Sequence, residues 1–114
     1  MDEKKITLFG EELSIAYNLA VQILVEKITD KPFDVAELTK TTNRVVLYYA
    51  CIYVGNPKTA ITLDKLANEL TFEDMQVLDK AVNDVMKEWY EIPKTARLDA
   101  PSEGNEEEEQ QKNA

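Results

Sequence analysis

The chain has 114 residues, a length that suits one domain, and a formal net charge of −9. That charge argues against unassisted binding to nucleic acid or to an anionic lipid surface, whose phosphates repel carboxylates. The single cysteine, Cys51, excludes an internal disulfide, and the lack of histidine removes imidazole acid–base and metal chemistry.

The chain opens on Met-Asp-Glu-Lys-Lys, without an apolar signal segment, and no stretch reaches membrane-spanning length. The expected compartment is therefore the cytoplasm. Lys5–Phe9 and Glu12–Ile15 flank Gly10-Glu11. Ile6 and Leu8 alternate with Thr7, and Gly10 can adopt the positive φ of a tight turn, so a short β-hairpin is expected here. Two strands alone are marginal and must pack on helices.

Ala16–Ile28 reads as an amphipathic helix. Tyr17, Ala20, Leu24 and Ile28 recur at spacings of three and four, widened by Val21 and Ile23, while Asn18, Gln22 and Glu26 form the opposite polar stripe. Pro32 disfavours helix in the residue before it and ends this element.

Three further helix starts use one device. Asp34 with Glu37, Thr62, and Thr71 with Asp74 are N-caps. The flanking pairs Phe33/Leu38, Ile61/Leu66 and Leu70/Met75 suit hydrophobic staples. The helix after Asp34 should be short, because Thr39, Thr41 and Thr42 are poor helix formers.

Val45–Val54, VVLYYACIYV, is the only stretch apolar on every side. Its β-branched and aromatic content would also suit a buried strand. A continuous apolar strand, however, belongs to a parallel sheet, whose βα repeats this chain lacks. Gly55-Asn56-Pro57 is a helix stop signal, so a central helix over about Thr42–Val54 is expected. A helix apolar all round must be covered on all faces, by its own fold, by self-association or by a partner helix. Tyr48, Tyr49 and Tyr53 suit a partner groove, having large contact area, few rotamers and a polar tip.

Phe72–Tyr90 carries the cleanest helical pattern. Met75, Leu78, Val82, Val85 and Trp89 form a seam long enough to run along the central helix. Glu73, Asp79, Lys80, Asp84 and Lys87 lie on the other face. From Lys94 onward no residue after Leu98 can pack strongly, and the run Glu106–Glu109 marks a disordered, solvating acidic tail. The expected fold is thus mostly α: four to five helices in a small bundle over residues 1–93, a short N-terminal β-hairpin, and a disordered tail over 94–114.

No phosphate-cradling glycine loop, CxxC pair, GxSxG elbow or HExxH is present. Asp30 and Asp34 mimic the start of a calcium loop, but Pro32 and the missing Gly and Glu break that pattern. Glu11-Glu12 and Glu73-Asp74 are neighbours in sequence and read as surface charge or caps. The expectation is a protein without catalytic, cofactor-binding or metal-binding residues, and not an enzyme. TLDKLANEL followed by the long helix looks like a helix-turn-helix, but its reading helix would present Glu73, Asp74, Asp79, Asp84 and Glu88 against Lys80 and Lys87. A small acidic regulatory protein of helix-turn-helix or DNA-mimic type is the alternative reading.

The order of ITLFGEEL, a first helix, a capped DVAEL, VVLYYACIYVGNP, TLDKLANEL and TFEDMQVLDKAVNDVMKEW resembles that of the tail assembly chaperones of long-tailed bacteriophages and prophages. The layout spans most of Ile6–Trp89. It departs from the family in lacking a Phe/Thr-rich entry to the first helix and in a weakly marked opening hairpin. The resemblance implies a non-structural protein of the bacterial host cytoplasm, absent from the mature virion. It would bind the hydrophobic, helical tape measure protein, and in some members the tail tube protein, before the tube polymerises. No nucleic acid, membrane or cofactor is implied. The candidate partner-binding residues are Tyr48, Tyr49, Tyr53 and Trp89.

Overall fold

Strands Lys4–Leu8 (β1) and Glu11–Ile15 (β2) form an antiparallel hairpin in the computed structural model, which describes residues 4–91. The tail expected over 94–114, and the domain boundary at residue 93, lie outside those residues. The turn falls on Phe9-Gly10, one residue earlier than Gly10-Glu11, with both central residues at positive φ (52° and 79°). That pairing gives a hairpin loop whose twist matches its strands. Phe9 bears a left-handed backbone cost of roughly 1–2 kcal/mol. Its ring packs against the core with Lys65 Nζ 4.8 Å from its centroid, which offsets part of that cost.

The two-residue loop fixes the ladder. Leu8 pairs with Glu11 and Ile6 with Leu13, so the inner face carries Ile6, Leu8, Leu13 and Ile15. The backbone groups of Ser14 then point away from β1. They meet the side-chain amide of Asn56: the Ser14 N–H donates to Oδ1 at 3.0 Å, and Nδ2 donates to the Ser14 carbonyl at 2.8 Å. One asparagine thus stands where a third strand would pair.

Helix α1 spans Leu19–Thr29, starting three residues later than the apolar spacing predicts. Asn18, expected on the polar stripe, is instead its N-cap and accepts from the Val21 N–H. The Ala16 N–H is held by the Cys51 carbonyl at 3.2 Å, which keeps the chain extended there. Val21 and Val25 are buried, whereas Ala20 and Ile23 face outward. Asp30 closes the helix in a left-handed conformation, its N–H on the Glu26 carbonyl.

The element after Asp34 is a 3-10 helix, Val35–Thr39. Asp34 caps it through the Ala36 N–H at 2.9 Å, while the Glu37 carboxylate pairs with Lys40 at 2.8 Å rather than completing a capping box. Helix α2, Thr41–Gly55, is the expected central element, and Gly55 is its last residue rather than a residue beyond the end. Helix α3, Leu63–Glu69, is capped by Thr62. Helix α4, Phe72–Tyr90, begins at a full capping box: Thr71 accepts from the Asp74 N–H at 3.0 Å and donates its own N–H to the Asp74 carboxylate at 3.1 Å. Thr71→Ala removes one half of the box and should cost about 1 kcal/mol in chemical denaturation.

The α4 seam is as predicted, with Leu78 and Val82 buried and Met75, Val85 and Trp89 packed against the core; Ala81, outside the predicted seam, is buried beside them. Its main partner differs from expectation. It lies chiefly across β1, with smaller contacts to β2 and α2. Lys4 anchors the strand to it, reaching the Asp84 carboxylate at 2.8 Å and holding that carboxyl below its usual range through the hydrogen bond. Helix α2 is the hub, packed against α1, α3, α4, β2 and the 3-10 turn.

Candidate docking surface

A helix ringed by this many elements leaves little of itself uncovered. Val46, Leu47, Tyr48, Ala50, Cys51 and Ile52 of α2 are buried. The exposed residues of α2 are Thr41, Thr42 and Tyr53, and several of its less buried residues share one side. Thr42 and Tyr53 are exposed, and Val45 and Tyr49 are half-buried. Helix periodicity puts these four on one side, since Val45, Tyr49 and Tyr53 follow at intervals of four and Thr42 precedes Tyr49 by seven. The Tyr49 and Tyr53 rings stack, with centroids 5.9 Å apart and planes 23° apart. Tyr53 keeps 41% of its surface in solvent. A rigid pair of aromatic faces with polar tips suits contact with an apolar partner at low entropic cost.

Tyr48 does not belong to this surface. It is fully buried, and its hydroxyl donates to Asp79 Oδ1 on α4, the oxygen that Arg44 also contacts. Arg44 Nε additionally donates to the Leu38 carbonyl at 3.2 Å. Arg44, Tyr48 and Asp79 therefore tie the 3-10 turn, α2 and α4 together. Burial, reinforced by the Asp79 carboxylate, pushes the Tyr48 phenol up to about 12. The sequence periodicity put Asp79 on the outer face of α4. The missed signal was Arg44, the one charge in α2, which requires a partner.

Trp89 also serves elsewhere. It is half-buried and packs edge-on against Tyr17, with centroids 6.3 Å apart. Tyr17 in turn contacts Phe33 and Tyr90, and its hydroxyl lies 2.8 Å from that of Tyr90 and accepts from Gln22 at 3.0 Å. This cluster fastens the end of α4 to the start of α1. Of the four candidate residues, Tyr49 and Tyr53 are thus brought together on an open face, while Tyr48 and Trp89 are committed to packing.

Cys51 is fully buried, and burial pushes its thiol up to about 12, so essentially no thiolate forms near neutral pH. A cavity lined by Val25, Thr29, Phe33, Leu38 and Asn43 measures about 30 Å³, room for a water rather than a substrate. Among the described residues, no cluster of three metal-ligating side chains occurs, and no helix is long and apolar enough to cross a membrane.

No protein-family model matches the sequence, and no curated protein or solved structure is significantly similar to it.

Proposed function

We propose that this chain is a non-catalytic tail assembly chaperone, which holds an apolar helical segment of the tape measure protein on its Tyr49–Tyr53 face until the tail tube polymerises. The tail tube protein is the second candidate client. The chain acts in the bacterial host cytoplasm and stays out of the mature virion. The observation that carries the reading is the stacked tyrosine pair left open on a helix that is otherwise largely packed. It is supported by the order of hairpin, helix, short capped turn, tyrosine-bearing helix, short helix and long helix, the layout in which the sequence resembles that family. An apolar client helix laid along α2 covers the tyrosine rings and leaves their hydroxyls at the rim. The net charge of −9 keeps the resulting complexes apart in solution.

The DNA-binding alternative gains nothing from α3 and α4. The exposed face of α4 presents Glu73 and Glu88 where phosphates would lie. Co-expression with the tape measure protein of the same gene cluster tests the proposal. The client is expected to move from the insoluble to the soluble fraction and to co-purify with this chain. A client equally insoluble with and without it contradicts the proposal.

A further inference from the structure

Between Asn56 and Thr71 the chain is held differently from the rest of the fold. Both ends are fixed. Asn56 is tied to Ser14 by its amide oxygen and nitrogen and to the Ile52 carbonyl by its N–H at 2.9 Å, and Thr71 closes the capping box of α4. Among the described residues, every hydrogen bond and ion pair of residues 57–70 closes within 56–70. Thr59 donates its N–H to the Asn56 carbonyl at 2.9 Å, Thr62 caps α3, and Lys65 pairs with Glu69 at 2.9 Å. Among the described elements, α3 packs on α2 and on no other helix or strand. Its hold on the body is apolar: Ile61 and Leu66 are buried, and Leu63 and Leu70 are half-buried. The one addition is Lys65 over the Phe9 ring.

The other elements are tied across their boundaries by polar bonds. The 3-10 turn also packs on α2 alone, but Asn43 and Arg44 hold its Glu37 and Leu38 carbonyls at 3.0 and 3.2 Å. Helix α4 is bonded to α2 through Asp79 and to β1 through Asp84. An apolar hold without such bonds gives way at lower cost than one that must also break them. A seven-residue helix does not persist once off its support.

We propose that residues 57–70 form a flap hinged at Asn56 and Thr71, which lifts from α2 as one unit while the hairpin, α1, α2 and α4 stay folded. Lifting exposes Ile61, Leu66 and the α2 surface beneath them. The flap stands apart from the client reading, since the face of α2 that it concerns is one the flap itself covers.

Native-state hydrogen exchange of the full chain in low urea tests it. The amides bonded within the flap, those of Thr59 and of residues 66–70, are expected to share one opening constant. Relative to unstructured peptide, they should exchange on the order of a hundredfold faster than the amides of residues 47–52 in α2. Their exchange should also rise less steeply with urea, because lifting the flap exposes less surface than unfolding does. This comparison needs no variant. Val25→Ala then weakens the body at a site on α1, which does not meet α3. It should speed exchange in α2 by about tenfold or more and leave the flap amides unchanged, because the flap opens with α1 still in place. Equal protection in flap and α2 overturns the proposal. So do flap amides without a common urea slope, and a Val25→Ala effect that reaches the flap to the same degree as α2.

Discussion

Gly55→Ala is expected to destabilise the fold by about 3 kcal/mol or more, at or beyond the upper end of ordinary overpacking. A Cβ on Gly55 would overlap the Ser14 carbonyl oxygen and lie 3.0 Å from its carbon. Neither backbone can easily give way. Ser14 is held on both its N–H and its carbonyl by Asn56, and the next residue but one is held by Cys51. The contrast is Gly10, where a Cβ meets no atom within 4 Å but φ is +79°. Gly10→Ala should cost only about 1 kcal/mol, the strain of a left-handed alanine. Urea denaturation of the two variants reads the difference, and equal losses would contradict the close approach of α2 to β2.

Tyr48→Ala should be comparably severe, at about 3–5 kcal/mol, because it empties a fully buried aromatic site. For a small domain that is a large share of the total stability. Tyr48→Phe keeps the ring and removes one donor to Asp79, which retains Arg44. Its cost should be about 1–2 kcal/mol. Tyr53→Ser, on the same helix but in solvent, should stay within about 1 kcal/mol. Thermal and urea unfolding of the three variants should give that order. If Tyr53 proved as costly as Tyr48, the open Tyr49–Tyr53 face on α2 would not exist.

Much of this architecture was legible in the residues because its signals are local. Thr62 and Thr71 cap where their side chains predict, and the α4 seam follows from spacing alone. The hairpin was legible from Gly10, but its register was not, since few would place a phenylalanine at positive φ. What fixes it is the packing of the Phe9 ring, a tertiary event. The late start of α1 has the same kind of cause, a backbone bond from Ala16 to Cys51 thirty-five positions on.

The candidate site was half legible. An all-apolar helix with three tyrosines pointed to α2, but the sequence could not say which tyrosines its neighbours would cover. That choice is made by Asp79, whose place on the polar side of α4 hides its reach to Arg44 and Tyr48. Trp89 was similarly ambiguous, since a seam residue at a helix end can serve a partner or its own core. Here Tyr17 claims it.

The most direct test of the tyrosine face is the soluble fraction of the tape measure protein, co-expressed with wild type or with the Tyr49→Ser/Tyr53→Ser variant at matched levels. The variant should fold, with a melting temperature close to that of the wild type, and leave the client in the pellet. A folded variant that keeps the client in solution as well as the wild type does would contradict the assignment of the Tyr49–Tyr53 face.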